Sequence, residues 1–353
     1  MSEVRHERPG VYSAYDASAV VTAGRGSKTV GVAAKAMRGT VGKVVTLTGY
    51  AAGVAAFGED TVAGMSTILR LLFANGAATV VAVRVADAGT AVDYQTAFNT
   101  LARQDVQIVV CDSSDAVIHR GLRTSVETSS GQRKERIAVV GGSGDTTAQL
   151  VERAANLNSE RMVLVGPDAL DAGGNVLPGV FAAAAVAGVL AMGGDPAVPL
   201  NGAELAGLGG LNEEYGDNEI DLLVRGGVTP LESVAGVISP VRGITTRTTT
   251  GGVADTTWRE LTTILIVDDI IPSIRASLRS RFTRAKNTAR SRGAIRSQVI
   301  VDLEKKVAAE IIDSYGEVSV TAMEADPTVC LVEFSFAVAH GLNQIYLTVH
   351  ITV

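Results

Sequence analysis

Strand-like and helix-like segments alternate between about Tyr94 and Gly236, and this alternation restricts the fold more than any other feature. It typically produces a parallel sheet covered by helices. An earlier strand, helix and strand extend the pattern toward the N-terminus. We therefore expect an α/β protein with strands at Val44–Thr48, Thr79–Val85, Val106–Cys111, Ile137–Val140 and Arg161–Val165, and helices at Met65–Asn75, Ala116–Glu127, Thr146–Leu157 and Val180–Met192.

The length of 353 residues exceeds what one hydrophobic core usually holds, so we expect two domains. The predicted fold is a mixed α/β core domain with one inserted α/β domain and extended N- and C-terminal β arms. The predicted divisions are an N-terminal arm (1–29), the first part of the core domain (30–90), the inserted α/β domain (91–240), the second part of the core domain (241–340) and a C-terminal strand arm (341–353).

Both ends of the chain have strand character. Val11–Val21 is β-prone and is followed by a polar linker at Gly24–Lys28, whereas Ile345–Val353 alternates apolar and polar residues without a charge or proline. An unprotected edge strand of this kind favours pairing with another chain. Either the last strand is buried in its own domain, or the protein assembles through it.

The segment after Gly243 predicts a strand at Leu261–Val267, followed by a helix that Asp268 and Asp269 cap. A second helix is predicted to run to Tyr315–Gly316, followed by a strand at Val329–Ala339. The predicted apolar faces are Ile271, Ile274, Leu278 and Phe282 on the first helix, and Ile295, Val299, Leu303, Val307 and Ile311 on the second.

Basic residues are concentrated in this first helix and the residues after it. The chain has a net charge of −6, yet the segment from Arg275 to Arg296 contains basic residues and no Asp or Glu. Nucleic acid is a poor partner, because interleaved aromatic residues are nearly absent and the rest of the chain is acidic. An acidic protein partner fits better, and a solvated charged face remains the alternative.

No catalytic, cofactor or metal site is predicted. Gly141–Gly144 follows a strand and precedes a helix, but the third glycine of a dinucleotide fingerprint is missing, so a nucleotide-binding enzyme remains only an alternative function. Cys111 and Cys330 are expected as reduced core residues. The histidines are scattered and expected at the surface or in strands: His6, His119, His340 and His350.

Two further features concern membranes and location. The uncharged run Ala172–Gly194 is interrupted by Pro178 and Gly179, so a buried core helix is expected instead of a membrane span. The first residues lack the apolar stretch of a signal peptide, which makes the cytoplasm the expected place of synthesis and folding.

Several short motifs together resemble the tail sheath proteins of contractile phage tails and R-type bacteriocin particles. The likeness is strongest in the first 30 residues and from about residue 225 onward. The motifs are Arg8-Pro9-Gly10-Val11-Tyr12, Arg242-Gly243-Ile244-Thr245-Thr246, Trp258-Arg259-Glu260-Leu261, Asp268-Asp269-Ile270 and the last strand.

The resemblance implies a structural subunit, not an enzyme, that stacks as hexameric rings around an inner tube and contracts. It implies no cofactor and no nucleic-acid partner, and no direct insertion into a membrane. The expected partners are further copies of the chain, the inner tail tube protein, and baseplate and tail terminator proteins. The expected location is a virion tail or an extracellular contractile particle assembled in the host cytoplasm.

The resemblance also implies roles for particular residues. In that family, terminal arms join strands of adjacent subunits into a shared sheet, and a helix of the inner domain touches the tube. Carried over to this chain, the tube contacts are Arg275, Arg279, Arg281, Arg284 and Lys286. The inter-subunit strand residues are Val11, Tyr12, Val20, Ile345, Leu347, Val349, Ile351 and Val353.

Overall fold

The computed structural model of the protein describes residues 28–343. Its helices are α1 (Tyr50–Phe57), α2 (Met65–Ala74), α3 (Ala91–Leu101), α4 (Ala116–Gly131), α5 (Thr147–Leu157), α6 (Gly179–Met192), α7 (Asp217–Arg225), α8 (Leu261–Phe282) and α9 (Ala289–Ala308). Its longer strands are β1 (Val30–Ala34), β2 (Val44–Leu47), β3 (Val80–Arg84), β4 (Ile108–Cys111), β5 (Ile137–Gly141), β6 (Met162–Gly166), β10 (Thr229–Val234), β11 (Val237–Pro240), β14 (Ile312–Tyr315), β15 (Ser319–Ala322), β16 (Cys330–Glu333) and β17 (Phe336–Val338). Two-residue strands are β7 (Ala169–Leu170), β8 (Val176–Leu177), β9 (Gly210–Leu211), β12 (Thr249–Thr250) and β13 (Val253–Ala254).

The main sheet has eight strands in the order β11-β10-β6-β5-β4-β1-β3-β2. The six inner strands run parallel, and the edge strands β2 and β11 are antiparallel to their neighbours. Every residue of β1, β4, β5 and β6 is buried, as expected for parallel strands covered on both faces. The α/β class predicted from the sequence is confirmed, and the predicted strands before residue 170 are present with ends shifted by a few residues.

The sheet separates two hydrophobic cores, because successive side chains of a strand point to opposite faces. Val30 and Val32 contribute to the first core, with α1, α2 and α6, whereas Ala33 contributes to the second, with α3, α4, α5 and α7. We call this three-layer part of the molecule the body. Cys111 is buried in its second core, as predicted, while Cys330 is half-buried in β16, and both thiols are free.

Helix α6 is the buried core helix that the sequence predicts. Nearly all of its side chains are buried, so it is apolar on every side. Gly188 lets α6 approach α2 closely, because a Cβ there would lie 2.6 Å from the Cβ of Asn75. Within residues 28–343 no helix has the length and apolar character needed to cross a bilayer.

The predicted boundary between residues 90 and 91 does not separate two sheets. Val30 of β1 pairs with Val80 of β3 on one side and with Ile108 of β4 on the other. Residues 91–240 therefore share one sheet with residues 30–90. Strand β1 was not predicted from the sequence, because Val30–Ala34 is a short run of small residues next to the polar linker.

A smaller part of the molecule, the C-terminal unit, consists of α9, the strands β14–β17 and α8 from Ile266 onward. Its core contains Ile266, Ile270 and Ile274 of α8 together with Val299 and Leu303 of α9. Two separate two-stranded sheets, β14–β17 and β15–β16, cover this helical hairpin.

The sequence prediction is wrong at the start of this region. Leu261–Val267 is not a strand but the first two turns of α8, since Leu261, Ile264 and Leu265 lie on one helical face in the first core. Asp268 and Asp269 therefore lie inside α8 and do not cap it; the residue at the N-terminal boundary is Glu260.

Three further boundaries differ from the prediction. The second helix ends at Ala308 and not at Tyr315–Gly316, because the chain reverses and enters β14. The predicted strand Val329–Ala339 is divided into β16 and β17, which pair with different partners. The buried face of α8 beyond residue 265 is Ile266, Ile270 and Ile274, while Ile271, Leu278 and Phe282 are half-buried.

Candidate functional site

The end of the helical hairpin carries a cluster of exposed cations, which we call the basic tip. Its members lie in the last turns of α8, in the connection and in the first turn of α9. Their side chains are exposed, and none donates a hydrogen bond or forms an ion pair within residues 28–343. They are Arg279, Arg284, Lys286 and Arg290.

Two of the five predicted tube contacts are engaged inside the protein instead. Arg275 donates to Glu135 over 2.7 Å and so connects α8 to the body. Arg281 donates to the side chain of Gln298 on α9. Among the described residues the side chains of Arg279, Arg284 and Lys286 make no such contact, and neither does that of Arg290, which was not among the predicted tube contacts.

Local structure does not account for the cations of the basic tip. Positive charge stabilises the C-terminus of α8, but it opposes the dipole at the N-terminus of α9, where Arg290 lies in a first turn without acidic residues. The connection is held by other residues: Asn287 donates to the carbonyls of Pro327 and Val329 over 2.8 and 3.1 Å, and Thr288 caps α9. The four cations thus remain without an acidic partner within residues 28–343.

The motif segments around residues 242–246 and 258–261 meet in the structure. Ile244 and Glu260 form an antiparallel bridge, Thr245 N donates to Arg259 O over 2.9 Å, and Arg242 forms an ion pair with Glu260. Thr246 extends the contact to the body, donating from its backbone to Met162 O over 2.8 Å. These segments form the junction from which α8 leaves the body.

The two small sheets of the C-terminal unit have open edges. β14 pairs with β17 and β15 with β16, and no further strand joins either pair within the described part of the chain. Each pair packs on the helical hairpin, and its free edges leave backbone groups with which further strands can pair. The predicted arm strands that could supply them, Val11–Val21 and Ile345–Val353, lie outside the described residues, as do the contacts Val11, Tyr12, Val20, Ile345, Leu347, Val349, Ile351 and Val353.

The glycine-rich turn Gly141–Gly144 is occupied by the protein itself. A Cβ on Gly141 would lie 2.1 Å from the carbonyl carbon of Gly179, so this glycine allows α6 to pack against the end of β5. The amide of Gly144 donates to Asp168 over 2.7 Å, and the amide of Ser143 donates to Asp145 over 3.2 Å. Carboxylates of the chain thus take the positions that a phosphate would need.

His119 was expected at the surface or in a strand, but it is fully buried in α4. Its Nε2 lies 2.7 Å from the carbonyl oxygen of Ser113, and burial lowers the pKa of the imidazole to about 4. Among the described residues no group of His, Cys, Asp and Glu side chains has the arrangement of a metal site.

Two protein-family models match the chain, and one of them covers the α/β region before residue 225, where the motifs did not place the strongest likeness. A model described as the phage tail sheath protein central domain matches residues 87–246. A second, described as the phage tail sheath C-terminal domain, matches residues 253–352. Together the two models match more than half of the chain.

One relative agrees with this result. The tail sheath protein of Bacillus phage SP01 is 31% identical over 252 residues, which cover 70% of this chain and 43% of the relative. The chain thus spans less than half the length of this phage protein.

Two solved structures share the fold. The helical sheath of the anti-feeding prophage in its contracted state has a TM-score of 0.72 at 14% identity, covering 98% of this chain and 99% of the other. A sheath tail protein from Desulfitobacterium hafniense has a TM-score of 0.71 at 12% identity, covering 93% of this chain and 100% of the other.

Proposed function

The chain belongs to the phage tail sheath family, and from that premise we propose that it is the structural subunit of a contractile sheath. In this proposal it polymerises as stacked rings around an inner tube and contracts to drive the tube through a target envelope. The family is structural, which points away from an enzyme. The particle would be a virion tail or an extracellular contractile device, assembled in the host cytoplasm and joined to baseplate and terminator proteins.

The observation that carries the proposal is the basic tip. Four exposed cations lie at the end of a helical hairpin whose fold is fixed by other residues, on a chain with a net charge of −6. We propose that Arg279, Arg284, Lys286 and Arg290 contact acidic residues of the inner tube. Exposed ion pairs contribute about 0–1 kcal/mol each and weaken with salt, so such a contact can hold the tube in register and still release it.

Lasting links between subunits require a different kind of contact. We propose that Val11–Val21 and Ile345–Val353 add strands to the open edges of the small sheets in neighbouring copies. Nine residues laid along an edge can form roughly four or five backbone hydrogen bonds, each contributing ~0.5–1.5 kcal/mol, and can bury one apolar face. These links would persist while the ionic contacts with the tube break.

Contraction follows from combining the two contacts. Head-to-tail contacts between identical subunits generate open helices. Subunits linked by exchanged strands can rotate as rigid bodies between two packings. In this proposal the extended sheath is the kinetically trapped packing of the two. Release from the tube and new contacts between bodies would then drive the tube forward without nucleotide hydrolysis.

Charge reversal of the basic tip tests the tube contact. We expect Arg284→Glu with Lys286→Glu to abolish co-sedimentation with the tube protein of the same particle at low salt, since two attractions become repulsions. The matched control is Arg103→Glu with Arg120→Glu, which reverses two exposed cations of the body and should leave binding intact. If both double variants bind the tube protein equally well, the basic tip has another role.

A further inference from the structure

Helix α8 connects the two parts of the molecule, and its contacts with the body change in character along its length. Leu261, Ile264 and Leu265 are buried in the first core. Beyond them, the side of α8 that faces the body makes ionic contacts, through Asp268 and Arg275. These two residues are seven positions apart, so they lie on one face of the helix, two turns from each other.

Both contacts reach the same end of the main sheet, where β5 and β6 begin. Arg161, just before β6, holds Asp268 with two parallel hydrogen bonds of 2.8 and 3.0 Å. Glu135, just before β5, accepts from Arg275 over 2.7 Å. The Arg161 guanidinium also donates to the carbonyl of Arg136 over 3.1 Å, which fixes its orientation. Paired hydrogen bonds between Arg and a carboxylate impose direction as well as attraction.

Apart from the ion pairs, the body contacts the C-terminal unit through Ala197, which packs against its core, and through Asn201, which donates to Asn343 over 2.9 Å. A cavity of about 390 Å³ lies between α8 and the body, with Lys28, Gln107, Leu265, Asp269 and Pro272 among its lining residues. Pro272 lacks the amide hydrogen that would bond to the carbonyl of Asp268, which weakens the helix at the same turn. A helix weakened beside a cavity can change direction unless polar contacts prevent it.

Stability alone does not explain the Asp268 pair. The side chains of Arg161 and Asp268 are only 12% and 15% exposed, and burial raises the pKa of Asp268 above its usual value. Removing two charges from water offsets much of their attraction, so apolar replacement of a buried pair is often neutral or stabilising. The geometry that the pair imposes is therefore its distinguishing property.

We propose that the pairs Arg161–Asp268 and Glu135–Arg275 form a clamp that fixes the direction of the α8–α9 hairpin relative to the body. The clamp makes the basic tip and the body move as one piece. Its consequence for the sheath, that release of the tube is coupled to rotation of the body, rests on the proposed function. The clamp itself is a property of the isolated protomer and can be tested without tube or polymer.

The test measures the distance between spin labels on the body and on the hairpin by pulsed electron paramagnetic resonance. Labels are placed at Val92→Cys on α3 and Ala294→Cys on α9, both exposed, in a Cys330→Ser background. Cys111 can remain because it is buried, which raises the pKa of its thiol to about 12. In the otherwise unchanged protomer we expect a single narrow distribution of distances.

The clamp variants replace the charges by apolar or neutral groups. Arg161→Met with Asp268→Leu, and separately Glu135→Gln with Arg275→Gln, should broaden and shift the distribution while the protein remains folded by circular dichroism. The control replaces a buried pair that lies within the body, Asp145→Leu with Arg153→Met, and should leave the distribution unchanged.

The outcomes separate the clamp from a merely stabilising pair. If the apolar variant does not fold, the Glu135 and Arg275 variant, which removes a more exposed pair, decides the question. Unchanged distances in folded clamp variants would overturn the proposal, as would an equal broadening in the control. Neither result depends on whether the protomer binds a tube.

Discussion

The body and the C-terminal unit bury their apolar residues to different degrees. The body has a sheet covered on both faces and two cores, and every residue of β1, β4, β5 and β6 is buried. The C-terminal unit has one smaller core, two separate two-stranded sheets and strands in which most residues are exposed or half-buried. The inner strands of the body are thus buried within the chain, whereas the C-terminal unit has small sheets with open edges and exposed cations that lack ion-pair partners among the described residues.

The largest expected effect compares one buried leucine in each part. Leu69→Ala in the body and Leu303→Ala in the C-terminal unit each remove a fully buried side chain and should cost ~2–5 kcal/mol of unfolding free energy. We expect hydrogen exchange to show a local effect for Leu303→Ala, with the amides of β4 and β5 still protected. Loss of protection throughout the body in Leu303→Ala would mean that the two parts unfold as one.

Acid should weaken the body through His119. Its pKa is about 4 in the folded protein and about 6.5 when unfolded, so the unfolded state binds a proton first as the pH falls. Stability present at pH 7 should therefore decrease between about pH 6.5 and pH 4, by roughly 3 kcal/mol from this group.

The comparison of His119→Gln with the unchanged chain isolates that contribution. Chemical unfolding at a series of pH values should show a shallower decline for His119→Gln. His340→Gln, which changes an exposed histidine near the C-terminal unit, is the matched control and should follow the unchanged chain. Parallel curves for all three proteins would show that His119 is not buried in its neutral form.

The smallest expected effect concerns two glycines inside helices. Gly188→Ala in α6 should destabilise the body by ~1–3 kcal/mol, because the added Cβ would meet Asn75 and the Leu72 carbonyl. Gly293→Ala in α9 has no atom within 4 Å of the added Cβ and should stabilise its helix by up to ~1 kcal/mol. Thermal unfolding of the two variants should shift in opposite directions, and a shift of the same sign would contradict the difference in packing.

The sequence predicted the body better than the C-terminal unit, for a physical reason. Helices such as α5 have their caps and apolar period within one segment, so local patterns suffice. Leu261–Val267 is an apolar, β-branched run that is compatible with either a strand or a helix. It is a helix because Leu261, Ile264 and Leu265 find the first core, a contact that the local sequence does not contain.

Prediction of the candidate site was limited in the same way, by contacts that the local sequence does not contain. The cluster of cations was visible in the sequence, but the engagement of Arg275 depends on Glu135, which is 140 residues away. Likewise, Asp268 was expected as a cap because its partner Arg161 is 107 residues distant. Burial next to a partner that is remote in sequence is the information that composition and spacing lack.

Electron microscopy of the purified chain with and without Ile345–Val353 tests most directly whether neighbours complete the C-terminal unit. We predict that the full chain forms tubes, and that the shortened chain stays as single subunits with an unchanged unfolding temperature of the body. Tubes of normal appearance from the shortened chain would contradict the account.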